Sequence, residues 1–148
     1  MDNSHFLLQE AIRRDLTSAE RDQLSPDALM QFAIRNTLTD SERDKLSPEK
    51  LMQFAVRNTL HPSERRKLSA DQLMQLAIRQ EISIEDRKKL SGDQLLQFGI
   101  RHELTNEELA RLSRDQLAQY NITAGRRRLK RQKLQNRAVN RSTHSRGN

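Results

Sequence analysis

The chain has 148 residues, of which 34% are hydrophobic and 32% charged, and its formal net charge is +7. It contains no cysteine, which excludes disulfides, thiolate metal sites and cysteine nucleophiles. No run approaches the roughly 18 apolar residues of a membrane span, and the opening stretch MDNSHFLLQEAIRRD lacks the features of a signal peptide. We therefore expect a soluble intracellular protein without membrane contact, or one exported by a route that needs no N-terminal signal.

A 22-residue motif repeats along residues 1–125 without insertions. The stretch LSPDALMQFAIRNTLT at residues 24–39 returns 22 residues later as LSPEKLMQFAVRNTLH. Counting position 1 from Leu16, a partial copy precedes five full ones. The partial copy is 1–15, and the full copies are 16–37, 38–59, 60–81, 82–103 and 104–125.

Each copy carries two helix-start signals. Position 2 is a hydroxyl residue with an acid three residues later, as in Thr39 and Glu42, which is a capping box. The third copy replaces this hydroxyl residue with His61, followed by Pro62. Position 10 is always serine, and an acid always follows at position 12. We predict a helix A over about positions 3–8 and a helix B over about positions 11–20.

Helical periodicity predicts which side of helix B is buried. In one continuous helix the apolar positions would scatter around the whole circumference, which argues against a lipid-surface helix. Within helix B alone they cover an arc of roughly 200°, formed in the first copy by Leu29, Met30, Phe32, Ala33 and Ile34. Helix A is mostly charged and is expected outside, held by leucines at positions 1 and 9. The predicted fold class is all-α, a solenoid of about five and a half helix-pair repeats followed by a basic tail.

Two polar positions recur beyond the needs of packing. Position 16 is glutamine in all six places and position 20 is arginine in five, and residues four apart share one helix face. The resulting ladder consists of Gln9, Arg13, Gln31, Arg35, Gln53, Arg57, Gln75, Arg79, Gln97, Arg101 and Gln119. It predicts a groove for an extended partner, such as an acidic peptide or a phosphate backbone. The alternative is that these side chains bond to positions 5 and 6 of a neighbouring copy.

The aromatic residues bear on nucleic-acid recognition. Four of the five lie at position 17, on the predicted buried arc, and Phe6 lies in the partial copy. No aromatic residue remains as a stacking platform for single strands. The repeats are also nearly neutral, since residues 1–125 hold 18 of the 27 basic residues and all 20 acidic ones, a net charge of −2. We therefore do not expect the repeats to wrap a duplex unaided.

The last 23 residues hold the other nine cations and no acid. They are Arg126, Arg127, Arg128, Lys130, Arg131, Lys133, Arg137, Arg141 and Arg146. This tail, residues 126–148, resembles an arginine-rich RNA-binding segment and a nuclear-localisation cluster. A solubilising tail without a partner and an arginine-rich export signal are the alternatives. We predict the tail to be disordered or conditionally helical.

The sequence contains no catalytic motif. The four histidines are scattered, and no HExxH, GxSxG or glycine-rich phosphate loop occurs. We expect no enzyme activity, no catalytic residues, no metal site, no cofactor and no small-molecule substrate.

Three functional hypotheses follow. The first is a non-enzymatic adaptor that binds a protein partner through its repeats, with a tail for nuclear targeting or nucleic-acid contact. The second is a nucleic-acid-binding regulator that uses the tail and the Gln/Arg ladder together. The third is an effector that is translocated into a host cell and acts in its nucleus. We expect a nuclear location if the tail acts as a nuclear-localisation signal, and a cytoplasmic location if it does not.

Overall fold

The computed structural model describes residues 2–145, which form helices and connecting turns and contain no strand. The chain divides into two compact units, Met1–Glu81 and Ile82–Asn148. The helices of the first unit are α1 (Ser4–Arg13), α2 (Ser18–Asp22), α3 (Pro26–Phe32), α4 (Asp40–Arg43), α5 (Pro48–Phe54), α6 (Pro62–Arg65) and α7 (Ala70–Ala77). Those of the second are α8 (Ile84–Arg87), α9 (Gly92–Phe98), α10 (Asn106–Ala110) and α11 (Arg114–Ser145).

The short helices α2, α4, α6, α8 and α10 are the predicted A helices. In α4 the Thr39 hydroxyl accepts a hydrogen bond from Glu42 N at 3.2 Å, and the Glu42 carboxylate accepts one from Thr39 N at 2.8 Å. The same reciprocal pair begins α2, α8 and α10. In α6, where Pro62 is the first helical residue, Glu64 still accepts from His61 N at 2.8 Å. The predicted starts are confirmed, because each depends on residues only three apart.

The B helices of the five full copies follow the predicted serines, but four of them end earlier than predicted. Ser25 Oγ accepts from Ala28 N at 3.2 Å, and the serines of the later copies do the same. The prediction that helix B extends to position 20 is wrong for α3, α5, α7 and α9; α3, for example, ends at Phe32, which is position 17. It is confirmed for α1, which ends at Arg13, and for α11, which continues past Thr123. Ile34 N and Arg35 N instead donate to carbonyls three residues earlier, both at 3.3 Å. These i→i−3 bonds tighten the chain into a turn that leaves the helical path.

Leucines form most of the core. The four leucines at position 14 of the first four copies have no exposed surface, and the position-9 leucines of these copies are also buried. The predicted burial is confirmed for Leu29 and Phe32, whereas Met30 and Ala33 are half-buried. It is wrong for Ile34, which is 62% exposed. Ile34 lies two residues beyond the end of α3, so the helical angle that placed it on the arc no longer applies.

An arginine–glutamate pair joins successive copies. Arg21, at position 6 of one copy, donates to both carboxylate oxygens of Glu42, at position 5 of the next, at 2.6 and 3.0 Å. It also donates to Thr37 O at 2.8 Å and lies 4.9 Å from the centre of the Phe32 ring. Arg43 with Glu64 repeats the bidentate pair in the first unit, and Arg87 with Glu108 repeats it in the second. The predicted all-α repeat fold, in which helix pairs stack as in a solenoid, is confirmed.

The pairing changes at both ends of the repeat series. Glu20, at position 5 of the first full copy, pairs at 2.7 Å with Arg14 of the partial copy. In the last copy Leu109 occupies position 6, where the four earlier copies have arginine. A further copy would have its position 5 at residue 130, which is a lysine. Glu20 therefore takes its arginine from the partial copy, and position 6 of the last copy has no arginine for such a pair.

Helix α11 serves as helix B of the last copy and then continues to Ser145. It crosses the predicted boundary between residues 125 and 126. Of the two states predicted for the tail, the structure describes the helical one for residues 126–145. Whether residues 1–125 form a separate domain stays a prediction, and Arg146 lies outside the described residues.

Candidate partner-binding face

The predicted Gln/Arg ladder lies on the solvent side of the B helices. All eleven of its residues are exposed. Glutamine at position 16 lies within helix B. Arginine at position 20 lies in the turn that follows α3, α5, α7 and α9, and in the partial copy Arg13 is the last residue of α1. The structure therefore places each ladder pair at the same end of its helix, pointing into solvent.

The ladder side chains are almost free of partners inside the protein. Within residues 2–141, the one polar contact of a ladder side chain joins Gln9 Nε2 to His5 Nε2 at 3.3 Å. The bidentate pairs between copies are made by positions 6 and 5, as Arg43 and Glu64 show. Other polar contacts between copies, such as that of Lys50 with Asp27, also do not involve the ladder positions. The ladder is thus not the staple that the alternative interpretation assumed, and its role as a binding surface stays a prediction.

A row of exposed aliphatic side chains accompanies the ladder. Position 19 is Ile or Val in every copy and in the partial copy. We call its members in the first unit the aliphatic row: Ile12, Ile34, Val56 and Ile78, with exposed fractions of 68, 62, 59 and 72%. Ile100 and Ile122 hold the same position in the second unit and are also exposed. Sequence reasoning missed this surface because it assigned position 19 to the core.

Grooves between successive B helices bring the two rows together in the first unit. The groove between α3 and α5 has a volume of about 420 Å³, and it is lined by aliphatic Met30, Ile34 and Val56 and by polar Gln53 and Arg57. A groove of about 470 Å³ repeats this arrangement one copy later. Its lining includes Met52, Val56, Gln75, Ile78 and Arg79. We call the ladder, the aliphatic row and these grooves in the first unit the repeat face.

Two cations of the basic tail contact the preceding part of the second unit. Arg127 donates to Gly99 O and lies 3.2 Å from the Glu103 carboxylate. Arg128 lies 3.2 Å from the other oxygen of that carboxylate. Hydrogen bonds from Arg128 and Arg127, opposed by partial burial, hold the pKa of Glu103 below its ordinary value. The other described tail cations are exposed and have no ion pair within residues 2–141.

The described part of the chain contains no group of three or more His, Asp or Glu side chains arranged to hold a metal ion. Between residues 2 and 145, no helix is both long enough and apolar enough to cross a membrane. Comparisons of the chain with protein-family models, with curated proteins and with solved structures found no match.

Proposed function

We propose that the repeats form a non-enzymatic scaffold whose repeat face binds a protein partner. The observation that carries this proposal is the combination of an exposed aliphatic row with ladder side chains of which, within residues 2–141, only Gln9 has a polar partner. Neither set belongs to the buried core. Burying one such aliphatic side chain in an interface contributes about 1.5 kcal/mol, so four of them form a substantial apolar anchor.

The composition of the face favours a protein over a nucleic acid. Phosphate backbones are bound by cations and hydrogen-bond donors. An exposed aliphatic row supplies neither of these. Apolar anchors next to arginines are typical of the centres of protein interfaces.

The spacing of the copies suggests the form of the partner. Packed helices lie about 10 Å apart, and a segment in the polyproline II conformation advances about 3.1 Å per residue with three residues per turn. Every third side chain of such a segment lies on the same side of it and therefore meets the next copy. We propose a segment that carries acidic side chains at that spacing, facing Arg35, Arg57 and Arg79, with apolar side chains between them.

A peptide array tests this proposal. Full-length protein is presented to twelve-residue peptides in which acidic residues recur every third position among apolar ones, and to shuffled peptides of the same composition. We expect selective binding of the spaced peptides, and at least a tenfold loss in the variant Arg35→Ala, Arg57→Ala, Arg79→Ala. The control variant Lys45→Ala, Arg66→Ala, Lys67→Ala removes the same charge from the ends of A helices and should bind normally. Equal binding by both variants, or no preference for spacing, would contradict the proposal.

Nuclear targeting by the tail is the second candidate function. It is supported by the cluster of five cations within residues 126–131, most of which are exposed. Fluorescently tagged full-length protein with Lys130→Ala and Arg131→Ala should leave the nucleus if the cluster is an address. Unchanged nuclear accumulation in this variant would count against it. Translocation into a host cell stays a prediction.

A further inference from the structure

The extension of α11 beyond the last repeat is a helix with one strongly cationic side. At 100° per residue, Arg126, Lys130, Lys133, Arg137 and Arg141 fall within an arc of about 80°. All five are exposed. With a rise of 1.5 Å per residue, they extend over about 22 Å of helix. We call these five residues the cationic stripe.

Contacts at the base of the extension turn the stripe away from the rest of the second unit. Arg127 and Arg128 both pair with Glu103, and Arg127 also donates to Gly99 O. On the helix these two arginines are centred about 130° from the middle of the stripe. The side of α11 that carries the stripe therefore faces solvent.

The stripe places like charges next to one another. Its members follow at intervals of four, three, four and four residues, and like charges at these intervals repel and destabilise a helix. The tail holds no acid that could neutralise them. A polyanion that binds along the stripe removes this repulsion, so its binding and the helical state of the tail support each other.

The apolar residues of the extension argue against a membrane surface as that polyanion. Leu129, Leu134 and Val139 are all exposed, at 57, 56 and 60%. They are spaced five residues apart, so successive members are about 140° apart around the helix. They form no apolar side that could enter a lipid interface.

We propose that the cationic stripe binds duplex DNA, with α11 lying in the major groove and the stripe contacting phosphates. A helix with its side chains is about 10–12 Å wide, which matches the roughly 12 Å major groove of B-DNA. The deep, narrow major groove of A-form RNA does not admit such a helix as readily. This inference is independent of the protein-binding role of the repeat face.

Fluorescence anisotropy with full-length protein tests the inference. The probe is a 20-base-pair DNA duplex, and the competitors are the matching RNA duplex, the single DNA strand and polyglutamate, with salt varied from 50 to 200 mM. Five phosphate contacts give a slope of about −4.5 in the plot of log affinity against log salt concentration. The variant Lys130→Gln, Lys133→Gln, Arg137→Gln should bring the slope to about −2 and weaken binding, because it removes three contacts.

Two controls make the result decisive. Lys45→Gln, Arg66→Gln, Lys67→Gln removes the same net charge from the first unit and should leave both slope and affinity unchanged. Circular dichroism checks that the stripe variant keeps its helix content, as expected because glutamine and lysine have similar helix propensities. If both variants lost DNA affinity equally, the loss would follow from net charge alone, and the inference would be overturned. No binding to duplex DNA, or tighter binding to RNA, single strands or polyglutamate, would also overturn it.

Discussion

Arg43 donates hydrogen bonds to both carboxylate oxygens of Glu64 in the next copy, at 2.9 and 2.6 Å. The Arg43 guanidinium also lies 4.8 Å from the centre of the Phe54 ring in its own copy. Glu64 is 1% exposed, yet it remains satisfied because it also caps the start of α6. One carboxylate thus completes a helix start and fixes the register between two copies.

This arrangement predicts loss of stability in acid. Burial opposes ionisation of Glu64, but hydrogen bonds from Arg43 and His61 N outweigh it and lower the pKa of Glu64. The pKa of Glu42 is lowered in the same way, with Arg21 and Thr39 as donors.

A lowered pKa in the folded state means that the unfolded chain takes up the proton first. The contribution to stability is therefore complete above the unfolded pKa, near 4.5, and is lost as the pH falls through the lower folded values. We expect the urea concentration at the unfolding midpoint to be lower at pH 3 than at pH 6. Glu64→Gln should lower the midpoint at pH 6 and flatten its dependence on pH. A midpoint that is the same at pH 6 and pH 3 would contradict this prediction.

Gln80 makes contacts that the sequence did not indicate. Its Nε2 donates to Ala55 O at 2.8 Å and to Asn58 O at 2.7 Å, and its Oε1 accepts from Leu60 N at 3.0 Å. Gln80→Ala leaves three backbone groups without these hydrogen-bond partners, and we expect the free energy of unfolding to fall by about 1–3 kcal/mol. Gln75→Ala, which removes an exposed ladder side chain, should change stability by less than about 0.5 kcal/mol. Equal urea midpoints for the two variants would argue against this role for Gln80.

Gly99 and Gly125 should respond oppositely to alanine. A Cβ at Gly99 would lie 2.8 Å from Tyr120 Cδ2, whereas a Cβ at Gly125 would meet nothing within 4 Å. Gly99→Ala should destabilise the protein by about 1–3 kcal/mol through overpacking. Gly125→Ala should stabilise α11 by up to about 1 kcal/mol, since glycine is unfavourable inside a helix. Thermal unfolding distinguishes the two, and a stabilised Gly99→Ala variant would show that Tyr120 moves aside readily.

The helix starts could be predicted from the sequence, because the residues that form each cap are only a few positions apart. The capping pair of Thr39 and Glu42 and the serine cap at Ser25 are of this kind. The exposure of Ile34 could not, because it depends on where α3 ends, and no glycine or proline marks that point. For Ile34 the helical angle does not apply two residues beyond the end of the helix. Ile12 and Ile122 lie within helices and are exposed as well, so the end of a helix does not explain the whole row.

The inter-repeat pair is reflected in the sequence at position 6. Position 6 is arginine in four copies and leucine, Leu109, in the last. A residue whose partner lies in the following copy is dispensable where no further acid follows. Position 20 loses its arginine in the last copy as well, at Thr123. Recurrence alone therefore did not show which of the two arginine rows stabilises the fold, and only the contacts of Arg43 separated them.

Arginine at position 6 joins successive copies, whereas we propose that arginine at position 20 faces a partner. The most direct test compares the free energies of unfolding of Arg43→Ala and Arg57→Ala in urea. Arg43→Ala leaves the buried Glu64 carboxylate without its arginine partner, and we expect the free energy of unfolding to fall by about 3 kcal/mol. Arg57→Ala removes an exposed side chain without a partner in residues 2–141, and we expect a change below about 0.5 kcal/mol. If Arg57→Ala proved as damaging as Arg43→Ala, the ladder would be part of the structure and the proposed binding face would lose its basis.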